Sequence, residues 1–553
     1  MSIFSPSDLF ELSLAALLLA FAIVTGPFIE PYARQVAPKT GWCMLLLALL
    51  PAALRLALLA HHPAPAPVVY DEFGHLLVAD TLRHLRLANP PHPLHQFFET
   101  FFVLQTPAYA SIYPLGQGIA LAIGRAIFGL PWAGVLLSSS VFCALCYWML
   151  RGWTTTPECA LLGGVLAVLE FGPLCPWTNS YWGGSLAAAA GCLVFGALPR
   201  LGTRARVRDG VFLGLGLGIH WLTRPYETVF LVAAALLYFV RSDLRSLAKP
   251  ALAAILALIP AIGLSLLQNK QVTGSWTTLP YVLSRAQYGV PASFAWQANA
   301  VPQLELTREQ QLQYKMQTSF RSNGPETIAS YFQRLEYRVR FYRFFFLPAL
   351  YVALPFFVAS LRQWRYAWVA LTLLLFAPGT NFYPFFEPHF IAAETCLFVL
   401  VGVTGLQQLS RWPGAARMVV FLCVAHFVFW YGRSFFDNPI ADRRIAVEQQ
   451  LSQARGKQLV FVRYWPQHIF QNEWVYNAAD IDNASIVWAR DLGAYEDQKL
   501  RDYYPDRTAW LLEPDAQPPK LSPYPVEESP KPQPAPTRSV PNNPPPLRFE
   551  QVH

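Results

Sequence analysis

Charge is scarce in this 553-residue chain. Asp, Glu, Lys and Arg make up 14% of it, against about 25% in soluble domains. So few charges could not cover a soluble fold of this length, which excludes a freely soluble protein. No Walker A sequence and no GxGxxG at a strand-to-helix turn occurs, so nucleotide-driven chemistry lacks its usual loops and no nucleotide cofactor is expected. HExxH and a convincing GxSxG elbow are missing as well, which removes the zinc-peptidase and serine-hydrolase signatures. The eight cysteines are scattered, mostly in apolar runs, with no CxxC pair; they imply neither a disulfide framework nor a zinc site. The opening MSIFSPSDLFELSLAALLLAFAIV has no basic n-region and no small-residue cleavage motif, and reads as a retained helix. The net charge of +8 comes from Arg and Lys in short loops between apolar runs. That is membrane topology rather than nucleic-acid binding, and no nucleic-acid module is visible.

What is abundant is apolar sequence, 54% of the chain, in blocks of which many reach 16–20 residues. Such blocks match a hydrocarbon core of about 30 Å. The expected fold is mostly α: a polytopic membrane protein of about 13 transmembrane segments, one of them re-entrant or broken, in a bacterial inner membrane. Candidate spans lie at about 9–29, 42–60, 114–129, 132–150, 159–175, 183–199, 209–222, 226–240, 250–267, 343–360, 365–378, 389–408 and 414–431. The basic stretches 200–208, 241–249 and 362–365, with Arg411, fall on one side by alternation, which the positive-inside rule makes cytoplasmic. Loop 268–342, the stretch 378–389 and everything after 431 are then extracytoplasmic. Strict counting puts loop 61–113 in the cytoplasm. A break between 114 and 199 would restore it to the outside, and GLPWAG (129–134) and FGPLCPW (171–177) are the candidates.

The domain plan is a transmembrane unit over 1–435 with external loops at about 61–113 and 268–342, a small α/β domain over 436–515, and a proline-rich tail over 516–553 expected to be disordered. GKQLVFVRYW, NASIVWARDL and TAWLLEP read as the strands of the small domain.

Chemistry concentrates in the outer stretches. VVYDEFGHLLVADTLRHLRL (68–87) places Asp71 and Glu72 beside the end of a membrane helix. A carboxylate there can accept a proton, and the pair could hold a divalent cation (Mg or Mn) through oxygen ligands. Neighbours on a helix diverge by about 100°, so one acid faces the reacting centre and the other organises backbone or cation; alternatively both only cap and solvate the helix. His75 lies one turn beyond Asp71. GIHWLTRPYETVF (218–230) brings His220, Arg224 and Glu227 to membrane level, where ionisable groups are costly. Arg224 offers a fork suited to phosphate, or forms a structural pair with Glu227. WTNSYWGGS (177–185) adds Asn179, Tyr181 and Trp182, a mixture that suits a sugar or an ordinary interfacial belt. NFYPFFEPH contributes Glu387 and His389, and Arg334, Arg338 and Arg340 are candidate contacts to an anionic head group.

The helix followed by YDEFGHLLVADTLRHLRL and then SIYPLGQGIALAIGRAIFGLPW (111–132) resembles the lipid-dependent membrane glycosyltransferases of the GT-C superfamily. It is similar to their aminoarabinose-transferase and protein-mannosyltransferase branch (glycosyltransferase family 39-like). The resemblance runs over about residues 42–240. It implies transfer of a sugar from a polyprenyl-phosphate donor, with inversion, to a glycan, lipid or protein acceptor outside the cytoplasmic membrane. Asp71 matches the first-loop catalytic aspartate, Glu72 is its acidic neighbour, and Tyr113–Pro114 resembles the proline-containing start of the next segment. Such families often carry a second acid after the middle spans; WTNSYWGG offers none. On this reading Arg224 and His220 hold the donor phosphate, while His75, Asn179, Tyr181, Trp182 and Glu227 line the sugar or acceptor pocket. A membrane transporter and a non-catalytic envelope-assembly scaffold are the alternative functions.

Overall fold

A computed structural model describes residues 29–154, 156–241, 244–319, 326–436 and 443–525, with Leu12, Ser13, Ala16, Leu17 and Ala20. Most of the first expected span, 9–29, lies outside the described residues. Helices dominate: α1 (Thr40–Ala57), α2 (Tyr70–Arg83), α3 (Leu115–Phe128), α4 (Trp132–Trp153), α5 (Pro157–Phe171), α6 (Ser185–Arg204), α7 (Val207–Trp221), α8 (Pro225–Tyr238) and α9 (Leu244–Thr273) form the first half. The second half holds α10 (Pro280–Tyr288), α11 (Arg308–Ser319), α12 (Ile328–Val339), α13 (Leu354–Phe357), α14 (Trp364–Thr380), α15 (Thr395–Leu409), α16 (Pro413–Arg433), α17 (Arg443–Gln453) and α18 (Ala494–Tyr503).

Among the described residues six helices are long and apolar enough to cross a membrane: Thr40–Ala57, Trp132–Trp153, Ser185–Arg204, Arg245–Thr273, Pro388–Leu409 and Gly414–Arg433. The expectation of about 13 segments is not met by that measure. The helices α5, α7 and α8 are only 15, 15 and 14 residues long. The expected span 343–360 is broken into 3-10 turns around Pro348 and Pro355.

The direction of the early helices is set by buried contacts. At one end of the bundle Tyr147 of α4 donates to the carbonyl of Ala37, 2.6 Å. At the other, Arg55 of α1 donates to Asn179 Oδ1 at 2.7 Å and lies over the Trp132 ring at the start of α4. Trp132 in turn donates to the carbonyl of Thr178, 2.8 Å. So α4 begins at the same end as loop 172–184. α3 begins there too, through Gly116 N to the Leu222 carbonyl, 2.6 Å, and Gln117 to the Tyr181 carbonyl, 3.1 Å. Both ends of α3 therefore lie at one end of the bundle, and residues 114–129, expected to span, do not cross. The exposed Ile123, Ile127 and Phe128 give this helix an apolar side suited to the membrane interface. The turn 129–134 joins it to α4: Gly124 and Gly134 approach so closely that a Cβ on Gly124 would lie 2.1 Å from Gly134 N.

The C-terminal unit is a four-stranded sheet in the order β4-β3-β5-β6, after a two-stranded pair β1 (Val103–Leu104) and β2 (Ala110–Ser111) in the first loop. Strand β3 (Lys457–Val462) is parallel to β4 (Ile486–Arg490) and to β5 (Arg507–Glu513); β6 (Lys520–Pro523) is antiparallel to β5. The sheet thus runs past 515 into the stretch read as tail, and residues from 526 onward lie outside the described residues. β3 is apolar on both faces, as a central strand must be. Val460 and Val462 pack on Val447 and Leu451 of α17. Leu459 and Phe461 pack on the first loop, with Phe73, Phe97 and Phe98. Phe73 stacks on Tyr476 with ring centroids 4.2 Å apart, so α2 is clamped between the helical bundle and the sheet. Arg490 reinforces the joint, donating to the Glu99 carbonyl, Glu309 and Glu473 at 2.6, 2.6 and 2.8 Å.

Candidate functional site

The site starts at the first turn of α2. Glu72 accepts three backbone amides: Val68 N at 2.8 Å and Val69 N at 3.2 Å on one oxygen, Tyr181 N at 2.9 Å on the other. It caps α2 and ties it to loop 172–184. Asp71 points elsewhere, and its Oδ1 accepts the hydroxyl of Tyr113. Tyr113 can lie there because residue 74 is glycine; a Cβ on it would meet the Tyr113 ring at 2.7 Å. Burial raises the Asp71 carboxyl to about 6; the Tyr113 hydrogen bond and the Arg224 charge oppose that rise, and Glu72 adds to it.

Arg224 stands at the start of α8. The Gly116–Leu222 contact brings its turn against the segment that carries Tyr113. Its backbone is fixed by Arg224 N to the His220 carbonyl, 2.6 Å, and by Thr228 Oγ1 to its own carbonyl, 2.8 Å. The half-buried guanidinium lies 4.7 Å over Phe390, and makes no hydrogen bond or ion pair among the described residues. The alternative of a structural Arg224–Glu227 ion pair is therefore not what is seen. Glu227 is buried nearby, within reach of the Arg224 charge. His220 is fully buried, with Nδ1 on Thr228 Oγ1 at 2.7 Å. It supports the turn.

A third element comes from far along the chain. Arg338 is buried and donates to the carbonyls of Thr380, Tyr383 and Phe385, and Arg334 donates to the Asn381 carbonyl at 3.0 Å. These arginines, expected to meet an anionic head group, shape the loop 380–387, while Arg340 pairs with Glu336 on the surface. Tyr281 of α10 holds the same loop, hydroxyl to Tyr383 hydroxyl at 2.5 Å. The loop delivers Glu387 and His389. Glu387 is open to solvent at its edge; the protein around it, then the Asp71 charge, raise its carboxyl to about 7, against the pull of Arg224. His389 packs on Trp182, centroids 5.4 Å apart. His75 is buried against Tyr113, 4.4 Å between centroids, and burial with the Arg224 charge holds it down to about 3, so it is neutral.

Asp71, His75, Arg224, Trp182, Glu387 and His389 thus share one face. Asn179 and Tyr181 do not line it. Asn179 is taken up by Arg55 and by the carbonyls of Pro173 and Cys175, and Tyr181 donates its hydroxyl to the Pro65 carbonyl at 2.9 Å. Both hold loop 172–184 in place. Sequence reasoning missed the Tyr113–Asp71 bond and left Glu387 without a role. A tyrosine before a proline and an acid in an aromatic loop are the only signals, and neither is specific.

As joint ligands for a divalent cation, Asp71 and Glu72 do not fit: Glu72 spends both oxygens on amides, and the two carboxylates serve different partners. Among the described residues no group of three or more His, Cys, Asp or Glu side chains is placed to hold a metal ion.

No family model and no curated protein matches this chain. Among solved structures it is similar to ArnT from Cupriavidus metallidurans in the apo state, at 12% identity over 86% of this chain and 93% of that one, TM-score 0.49. It is similar to the Archaeoglobus fulgidus oligosaccharyltransferase in complex with Zn and sulfate, at 10% identity over 85% and 67%, TM-score 0.48. It is also similar to ArnT from Cupriavidus metallidurans bound to undecaprenyl phosphate, at 12% identity over 86% and 93%, TM-score 0.47.

Proposed function

We propose that this protein is an inverting membrane glycosyltransferase of GT-C type that moves a sugar from a polyprenyl phosphate to an extracytoplasmic acceptor. One observation carries the reading: an Asp71 carboxyl raised to about 6 shares a face with Arg224, whose guanidinium rests on Phe390 and makes no hydrogen bond or ion pair among the described residues. Arg224 holds the donor phosphate with a planar pair of N–H groups. Asp71 removes the proton from the acceptor hydroxyl as that oxygen attacks the anomeric carbon, and the phosphate leaves with the bonding pair. Tyr113 steadies one Asp71 oxygen and leaves the other for the acceptor. The basic loops 200–208 and 362–365 join the bundle's opposite end, which supports an outward-facing site by the positive-inside rule.

The base works only when ionised, so transfer from polyprenyl-phosphate sugars should rise with pH through an acid limb near 6. Tyr113→Phe removes a hydrogen bond that favours the ionised carboxylate, so that limb should move upward by about one pH unit. A limb that stays put, or transfer from no such donor, would count against the assignment.

Transfer should also survive EDTA, because Arg224 supplies the positive charge and Glu72 is spent on amides. Loss of activity on chelation, restored by Mg or Mn, would return a cation to the site.

A further inference from the structure

Loop 172–184 ends in two glycines where any side chain would be strained. Gly183 and Gly184 have φ of 92° and 101°, the left-handed region that glycine alone adopts freely. A Cβ on Gly184 would meet the Trp177 ring at 2.5 Å, and one on Gly183 would lie 3.1 Å from Gln117 Oε1. The turn therefore sets the first residues of the 20-residue helix α6 beside the Gln117 amide.

Polar atoms around this turn are left unsatisfied. The first bond at the head of α6 is Ala188 N to the Gly184 carbonyl, 2.8 Å. The amides of Ser185, Leu186 and Ala187 precede it and find no acceptor among the described residues. Gln117 is 3% exposed; its Nε2 donates to the Tyr181 carbonyl at 3.1 Å, which orients the amide and leaves Oε1 buried with no donor. Ser185 Oγ and Trp182 Nε1 are buried without partners. His75, 6% exposed, leaves Nδ1 unpartnered nearby. Buried polar atoms in folded proteins nearly always have partners, and this group is tied to the acidic turn through Tyr181, whose amide binds Glu72 and whose carbonyl accepts from Gln117, so it is placed to take its missing partners from a ligand.

We propose that Gln117, Trp182, Ser185 and the first amides of α6 together read the hydroxyl groups of an uncharged sugar ring on the donor lipid. The proposal rests on the glycosyltransferase reading and concerns the part of the donor that Arg224 does not hold. The donor and acceptor pattern carries it. A hydroxyl can give its proton to Gln117 Oε1 while accepting from an α6 amide or from Ser185. A phosphate or carboxylate would bring negative charge against the Gln117 carbonyl oxygen. None of Gln117, Trp182 and Ser185 carries a charge. The Trp182 ring offers a flat apolar surface for the sugar's C–H face.

The test uses the full chain in lipid nanodiscs and three probes: polyprenyl phosphate alone, the same lipid carrying glucose, and the same lipid carrying glucuronic acid. The wild type should bind the glucose lipid more tightly than the glucuronic acid lipid. Gln117→Leu and, separately, Ser185→Ala should weaken binding of the glucose lipid about 3- to 10-fold, the loss of one neutral hydrogen bond. Binding of polyprenyl phosphate alone should not change. Equal weakening for the bare lipid phosphate would overturn the proposal and make these groups part of a phosphate site. Preference for glucuronic acid, or glucose-lipid binding untouched in both variants, would overturn it as well. Ser185→Ala keeps the test open if Gln117→Leu fails to fold, because alanine suits a helix's first turn. A wild type that binds none of the three lipids would instead end the glycosyltransferase reading, a result distinct from binding that survives both substitutions.

Discussion

Asp71→Asn should lower the rate of sugar transfer about 1,000-fold or more, within the range that a positioned general base contributes, and leave donor binding nearly unchanged. Asparagine has almost the shape of aspartate, and its side-chain oxygen can still accept the Tyr113 hydroxyl that Asp71 accepts. It cannot take a proton from the acceptor. The fall should therefore appear in kcat rather than in the KM for donor. Membrane insertion and a single symmetric gel-filtration peak should be retained, because the cap of α2 depends on Glu72. An Asp71→Asn protein that transfers sugar at the wild-type rate would remove the base from the mechanism.

Arg224 carries the second large effect. Arg224→Ala should reduce kcat/KM by about 100-fold, equivalent to about 2.7 kcal/mol, mostly through a higher KM for donor. That is the size expected for losing charge-assisted hydrogen bonds to phosphate. The same substitution removes a charge that favours ionised Asp71, so the acid limb of the pH profile should rise as well. Arg224→Lys separates the two effects. It keeps the positive charge, and so the limb, but replaces the fork with a single point charge, and donor KM should still increase. Unchanged donor KM in Arg224→Ala would remove the phosphate contact from the proposal.

The candidate site was only partly legible along the chain. Asp71 and Arg224 stand out in sequence because an ionised group at membrane level is costly and must have a reason. Trp182 stands out beside two glycines. Glu387 could be named, yet nothing near it in sequence links it to Asp71, more than 300 positions away. Asn179 and Tyr181 looked like pocket residues because polar and aromatic side chains suit both sugars and structural bonds. For Asn179 the choice was made by Arg55, a helix arginine 124 positions earlier that binds it, and for Tyr181 by the Pro65 carbonyl that accepts its hydroxyl.

Topology divides the same way. Residues 114–129 have the hydropathy of a span, and hydropathy cannot tell a crossing helix from one lying along the interface. The bonds at its two ends decide it, Gly116 to Leu222 and, just beyond it, Trp132 to Thr178. The small domain's central strands could be read from their apolar runs, whereas β6, a short strand among prolines, has no such run and exists through its pairing with β5.

By itself the sequence determined the features that composition and short-range pattern set: a helical membrane protein, basic loops at one end, acids and aromatics at the other, and a strand-rich C-terminal unit. Those features depend on solvation and on residues within a few turns of one another. Only the tertiary structure decided which helix stays on one side, which polar groups became scaffold, and which were left facing one another around Asp71. Those outcomes depend on close approaches between distant segments, at Gly74 against Tyr113 and at Gly116 against Leu222, and no local property of the chain encodes them.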